Sequence, residues 1–277
     1  MTRKIGIVCC SDGFNRAYEG EIEELHRILA DMGIESVLSP FLYARDGVAS
    51  GTAEERAKAV MDFYLDDTID AICDISGGDI ANGILPYLDY SVIAKMDNQF
   101  WGYSDLTTIL NAIYAKTGQT GVLYQIRNVL YKERKQQMTD VRDVLCEGGD
   151  ALYRIDYHYV QGTEMHGIIV GGNIRCFLKL SGTAYMPDLN GKILLLESRS
   201  GTVARMETYL SQLQQIGAFE QIAGILLGTF TEMEAKQCMP DIVQLVKKYV
   251  RKTMPIAVTK QIGHGTDAKG IVIGGEL

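Results

Sequence analysis

The sequence predicts an α/β protein with a mostly parallel sheet, and three observations carry that prediction. Short apolar runs alternate with segments of helical period through the first hundred residues. Turn-forming residues, glycine foremost, follow several of the runs. The alternation resumes, less regularly, after a polar stretch in the middle of the chain.

The elements follow in order. Ile5–Val8 reads as a first strand and Ser11-Asp12-Gly13 as the turn after it. Ile22, Leu25, Leu29 and Met32 recur at helical spacing, and Met32-Gly33 ends that helix. Glu35–Leu38 is a second strand. Thr52-Ala53-Glu54-Glu55 is a capping box that opens a helix with Val60 and Phe63 on its apolar side. Asp70–Ile75 is a strand that runs into Ser76-Gly77-Gly78-Asp79, and Phe100–Tyr103 is a strand that runs into Ser104. The stretch from about Tyr124 to Gly162 is more polar and reads as a crossover, with no strong strand until Ile168. A second unit then follows: Ile168–Val170, Lys192–Glu197, a helix on Val203, Met206, Leu210 and Leu213, a strand over Ile222–Phe230, a helix from Pro240 and a strand over Pro255–Thr259. This gives a first unit over 1–135, a linker over 136–165 and a second unit over 166–277. In parallel sheets ligands bind at the carboxyl ends of strands, where Gly77-Gly78 and Ser104 both fall.

Composition removes several function classes. A chain of 277 residues with 47% apolar and 22% charged residues can bury a sizeable core. The net charge of -8, with no basic run beyond Lys132-Glu133-Arg134-Lys135, disfavours nucleic acid as a partner. No stretch reaches the roughly 18 apolar residues that span a bilayer, and the apolar run after Lys4 is too short for a signal peptide, so a cytoplasmic protein without a membrane partner is expected. Cys9, Cys10, Cys73, Cys146, Cys176 and Cys238 form no CxxC pair, and neither disulfides nor a metal site is expected. No cofactor motif stands out: Ser-Gly-Gly-Asp lacks the lysine and glycine spacing of a phosphate loop.

Ser104 is the residue with the clearest chemical promise. A serine at a strand-to-helix turn has its hydroxyl clear of the backbone, as a nucleophile requires, yet Gly102-Tyr103-Ser104-Asp105-Leu106 has only the first glycine of a nucleophile elbow. An N-cap is the competing reading. A nucleophilic serine needs a base and a group that orients the base. Of four histidines, His26 lies on a helix and His158 and His166 lie in polar surroundings, whereas His264 lies in a loop between Gly263 and Gly265. Glu197 ends an apolar strand and could orient an imidazole. Gly77 and the N–H of Asp105 could donate to an oxyanion. The order Ser, Glu, His is that of α/β-hydrolases, but the second unit does not fit that fold.

Several blocks together give the chain a specific resemblance. Gly51-Thr-Ala-Glu-Glu-Arg56, Ser76-Gly-Gly-Asp-Ile-Ala-Asn-Gly-Ile-Leu-Pro-Tyr-Leu-Asp89, Gly102-Tyr-Ser-Asp-Leu-Thr107, Gly171-Gly-Asn173, Gly182-Thr183, Leu189–Glu197 and Gly263-His-Gly265 resemble, in order and spacing, the LD-carboxypeptidase family of serine peptidases, which also contains the microcin C immunity peptidases. The resemblance implies a flavodoxin-like N-terminal domain, a smaller C-terminal α/β domain and an active site in the cleft between them. It implies a Ser104–Glu197–His264 triad with Gly77 and Asp105 at the oxyanion, no metal or cofactor, and a homodimer. The implied reaction removes the terminal D-alanine of a murein tetrapeptide in cell-wall recycling, with Arg199 and Arg205 as candidates to meet the substrate carboxylate. An immunity-type cleavage of peptidyl or aminoacyl nucleotides and a non-catalytic binding module are the alternatives. The sequence departs from the family at Ser76, where arginine is usual, at Ser198, and over 123–127, so the walls of the pocket are expected to differ.

Overall fold

In the computed structural model, which describes residues 3–45 and 47–277, the alternation becomes two sheets. The first half of the chain supplies β1 (Arg3–Val8), α1 (Glu19–Asp31), β2 (Ile34–Leu38), α2 (Ala53–Tyr64), β3 (Ala71–Asp74), α3 (Tyr90–Ile93), β4 (Gln99–Gly102), α4 (Thr107–Thr117), β5 (Gly121–Leu123) and α5 (Arg134–Arg142). The second half supplies β6 (His158–Gln161), β7 (Ile169–Asn173), α6 (Ile174–Leu178), β8 (Ile193–Ser198), α7 (Val203–Gln215), α8 (Ala218–Gln221), β9 (Gly224–Phe230), α9 (Thr231–Ala235), α10 (Ile242–Val246), β10 (Ile256–Val258) and β11 (Ile271–Ile273).

The first sheet has the order β11-β5-β4-β3-β1-β2 and the second the order β6-β10-β9-β8-β7. All pairings are parallel except β11 on β5 and β6 on β10. The period of two along the strands sorts side chains onto opposite faces. Ile5, Ile7, Cys73 and Trp101 face a core shared with α1, whereas Ile72 and Phe100 face α2 and α4. Gly6 lies on the α2 side, where a Cβ would come within 2.4 Å of the Phe63 ring, so glycine lets α2 approach the sheet. Thr52 and Glu55 cap α2 reciprocally, as the sequence predicts.

The second sheet is sorted in the same way. Leu194, Leu196, Ile225 and Leu227 face α7, while Ile193, Leu195 and Leu226 join the cluster that contains α2 and α4. One apolar core is thus continuous between the two sheets. Each fully buried leucine in it contributes roughly 1.5–3 kcal/mol. Polar pairing adds register. The Asn111 side chain donates to the Gly171 carbonyl and accepts from the Gly171 N–H, both at 2.8 Å, and Thr107 Oγ1 accepts from Asn173 N at 3.1 Å. The helix that begins just after Ser104 is therefore fixed to the first strand of the parallel part of the second sheet.

Three differences from the sequence reading stand out. β6 lies inside the stretch read as a crossover with no strong strand, and its four residues, one exposed and three half-buried, lack an apolar run. The rest of that stretch is packed on the first sheet, with Ile126, Val129, Val141 and Leu152 buried. The chain's last strand, β11, returns to pair with β5, so the boundary in sequence near residue 166 is not the boundary between sheets. α10 begins at Ile242 with Asp241 and Gln244 as its capping box, rather than at Pro240. Among the described residues no helix is long and apolar enough to cross a membrane, and all six cysteines are free.

Candidate active site

Ser104 follows β4 by two residues. Tyr103 is extended, with φ -151° and ψ 161°, and Ser104 then turns to φ +56°, starting a 3-10 turn over Ser104–Leu106 that continues into α4. A positive φ costs a residue with a Cβ on the order of 1–3 kcal/mol and persists where the surrounding fold enforces it. Here the enforcement is visible. A Cβ on Gly102 would come within 2.6 Å of Leu106 Cβ, so the strand and the helical turn touch. The single glycine of the partial elbow supplies this close approach. The N-cap alternative is not what forms: Tyr103 occupies the cap position, and no side chain makes a cap bond there.

Ser104 opens onto a cleft of about 670 Å³ whose walls include Ser76, Gly77, Tyr103, Arg199 and His264. A Cβ on Gly77 would lie 4.0 Å from Ser104 Cβ, which places the Gly77-Gly78 loop directly beside the serine. The N–H of Asp105 belongs to the first turn of the helix, where amides have no intrahelical acceptor.

Glu197 and His264 come together. Glu197 sits near the end of β8 and is fully buried. Its Oε2 lies 2.7 Å from His264 Nδ1. An ionised carboxylate only accepts, so this bond fixes the hydrogen on Nδ1 and leaves a lone pair on Nε2. His264 Nε2 is buried without a hydrogen-bond partner among the described residues, and no bond joins it to Ser104. The imidazole leans on Tyr103, with ring centroids 4.4 Å apart. Burial, with the charge of Glu197 second, pushes the Tyr103 phenol well up, so this wall is neutral. Gly263 has φ +150°, and a Cβ there would meet Thr229 Oγ1 at 1.8 Å, so one of the two glycines beside His264 is a packing requirement.

The Ser104 turn is buttressed by charge. The Asp105 side chain is fully buried and accepts from Lys179 Nζ at 2.5 Å, Ser11 Oγ at 2.7 Å and Ala81 N at 2.9 Å. Lys179 also donates to the Asp79 carbonyl at 2.8 Å, and Arg175 donates to the Gly78 carbonyl at 3.0 Å and pairs with Asp79. Both cations lie on or beside α6, so the second unit grips the Gly77-Gly78 loop and the residue after Ser104 at once. Ser76, in place of the family's usual arginine, turns inward: its hydroxyl donates to the buried Asp74 at 2.5 Å and accepts from Ser11 N at 3.0 Å.

The two arginines singled out in the sequence separate. Arg199 lines the cleft, whereas Arg205 lines a different depression with Thr208, Tyr209 and Glu232. Sequence reasoning passed over two charged residues of the cleft. Arg127 follows a buried Gln125 in the 123–127 stretch, and Asp12 lies in the turn after β1. Arg127 Nε is buried without a partner, and its guanidinium reaches Glu21 only at 3.7 Å. The departure of 123–127 from the family pattern was the available signal for Arg127.

Comparison with known proteins matches this arrangement to one family. Residues 5–125 match the LD-carboxypeptidase N-terminal domain and residues 166–277 the LD-carboxypeptidase C-terminal domain. The chain is 26% identical to the "Probable murein peptide carboxypeptidase" of Bacillus subtilis, over 89% of this chain and 80% of that one. It is 28% identical to the "Microcin C7 self-immunity protein MccF" of Escherichia coli, over 77% of this chain and 70% of that one. A solved structure of MccF in complex with glutamyl sulfamoyl guanosine shares the fold at a TM-score of 0.86 and 20% identity, covering 99% of this chain and 92% of that one. Two matched domains that together take in most of both sheets, the Ser104 turn and the His264 loop leave one conclusion: the chain belongs to the LD-carboxypeptidase family of peptidases.

Proposed function

We propose that this chain is a cytoplasmic serine carboxypeptidase that removes the terminal D-alanine from murein tetrapeptides during cell-wall recycling. The observation that carries the reading is the buried Glu197–His264 bond at 2.7 Å beside a serine held at φ +56° in the same cleft. Ser104 Oγ attacks the scissile carbonyl, and His264 Nε2 takes its proton. The tetrahedral oxyanion accepts from the Gly77 and Asp105 N–H groups. His264 returns the proton to the amine of D-alanine as the C–N bond breaks. Water then attacks the acyl-serine, with His264 again the base, and releases the shortened peptide. Glu197 holds the imidazole in the required tautomer and stabilises its charged form. Ser104 and His264 are not yet hydrogen-bonded, a contact that commonly tightens only with substrate present.

Arg199 and Arg127 supply the cations that a substrate carboxylate needs. The only tryptophan, Trp101, is buried in the core, so the aromatic side chains at the cleft are Tyr103, Tyr131 and the His264 imidazole. The decisive assay incubates the purified protein with murein tetrapeptide and pentapeptide and follows mass. Loss of one D-alanine from the tetrapeptide only is expected. An intact tetrapeptide, with cleavage of a processed microcin C analogue instead, would replace this reading by the immunity-type one. Arg127→Ala should raise KM for the tetrapeptide about tenfold or more, with kcat changed far less, since it removes a charge-assisted contact and not a reacting group. An unchanged KM would remove Arg127 from substrate binding.

A further inference from the structure

The two N–H groups that the reaction assigns to the oxyanion lie on different loops, Gly77 after β3 and Asp105 after β4. Such donors act only while both stay aimed at the same atom. A third loop, the turn after β1, is bonded to each of them. Ser11 is fully buried in that turn. Its N–H donates to Ser76 Oγ at 3.0 Å, and its own hydroxyl donates to Asp105 Oδ2 at 2.7 Å. One residue therefore holds the neighbour of Gly77 and the side chain of Asp105. The next residue holds Gly77 itself, since Asp12 N–H donates to the Gly77 carbonyl at 3.1 Å. Ser76 is anchored on its other side as well. Its hydroxyl donates to Asp74 Oδ1 at 2.5 Å, and its N–H donates to the same oxygen at 2.7 Å. Asp74 Oδ2 accepts from Cys10 N at 2.7 Å, which ties the end of β3 back to the residue before Ser11.

Peptide planarity turns these bonds into aim. The direction of an N–H is set by the ψ of the residue before it and the φ of its own residue. Ser76 is pinned at its N–H and its side chain, and Gly77 at its carbonyl, so the peptide between them has little freedom to rotate. Among the described residues the Gly77 N–H meets no acceptor and remains free to donate. We propose that Ser11 is a positioning residue that couples the two oxyanion donors, its N–H setting Gly77 through Ser76 and its hydroxyl setting Asp105. This rests on the serine peptidase reading, and it adds a residue that acts through both donors without belonging to the triad. Asp105 keeps Lys179 Nζ and Ala81 N as donors when the Ser11 hydroxyl is removed, so the loss falls on aim more than on the fold.

The test compares Ser11→Ala, Ser76→Ala and the double variant with the parent, each below its melting point. One readout is D-alanine release from the murein tetrapeptide. The other is labelling of Ser104 by a fluorophosphonate, which needs no peptide. Ser104 Oγ bonds to phosphorus, fluoride leaves, the hydroxyl proton passes to His264, and charge builds on the phosphoryl oxygen at the oxyanion position. Each single variant is expected to lower kcat and the labelling rate about tenfold, with KM within about twofold of the parent. The double variant should fall no further than the larger single loss, since a chain cut at either end already uncouples the donors. Losses that multiply to about a hundredfold in the double variant overturn the proposal. So does a Ser11→Ala protein whose kcat and labelling rate stay within about twofold of the parent, or whose KM alone changes. If Ser11→Ala does not fold, Ser76→Ala, which leaves Ser11 whole, carries the same expectation. D-Alanine release by the parent with unslowed variants leaves the peptidase reading standing and the inference fallen. Labelling that the variants slow, in a parent that releases no D-alanine, does the reverse. A parent that neither releases D-alanine nor is labelled at Ser104 removes both.

Discussion

Replacing Ser104 by alanine should lower kcat for D-alanine release on the order of 10⁴- to 10⁶-fold while leaving KM near its original value, because it removes the attacking atom and no binding contact. The accompanying change in stability is as informative as the loss of rate. Ser104 holds φ +56° with a Cβ, a conformation that is strained for serine and alanine alike. Ser104→Ala should therefore melt close to the parent. Ser104→Gly, which relieves the strain, should be more stable by about 1 kcal/mol and equally inactive. A residue kept for packing or capping would behave in the opposite way, losing stability on truncation and retaining rate. Stopped or steady-state assays with the tetrapeptide, read beside thermal melts of the three proteins, separate the two cases. Retention of more than about a tenth of the rate in Ser104→Ala would end the nucleophile assignment, since a residual rate of that size is not available from oxyanion stabilisation alone.

How far the sequence reveals this site depends on whether a feature is local. β1, β8 and β9 announce themselves because each contains a short apolar run (Ile5–Val8, Ile193–Leu196 and Ile225–Leu227) buried on both faces of a parallel sheet. β5 and β11 are three residues each, too short for any pattern, and the pairing of β11 with β5 joins segments some 150 residues apart in the sequence. The same division runs through the site. Gly102 and Ser104 are adjacent, and their turn is legible as half an elbow; that Gly102 serves to let Leu106 close in is a tertiary fact. Glu197 reads as a polar strand end, but only the fold shows it completely buried against His264. Asp105 attracts notice for its N–H, while its carboxylate, which ties three separate segments together, gives no local sign. Arg199 and Arg205 look equivalent in sequence. They part because the Gly201-Thr202 turn into α7 carries Arg205 away from the cleft.

The Asp105 carboxylate carries the other large expected effect. Asp105→Ala should destabilise the protein by about 3 kcal/mol, because it removes the buried acceptor of the Ser11 hydroxyl and the Ala81 N–H and leaves the Lys179 ammonium with Asp79 alone. Lys179 bears the larger cost, with its side chain only 19% exposed and its nearest carboxylate gone. Lys179→Met placed on top of Asp105→Ala should then recover a substantial part of the loss, since a buried pair is far more harmful half-removed than replaced whole. Urea unfolding of the two single variants and the double variant gives the coupling directly. Rate should follow a different rule. The double variant regains stability without regaining the link from α6 to the Gly77-Gly78 loop and the Ser104 turn, so its kcat should stay depressed after its melting point has risen. Arg175, which grips Gly78 and Asp79 from the same helix, remains in place, and the residual rate measures how much of the positioning it supplies alone. Recovery of kcat in step with stability would mean that Lys179 and Asp105 hold the fold together but do not aim the oxyanion donors. Persistent loss of kcat in a protein as stable as the parent would place that ion pair, reaching from the second unit into the first, among the groups that set the geometry of attack.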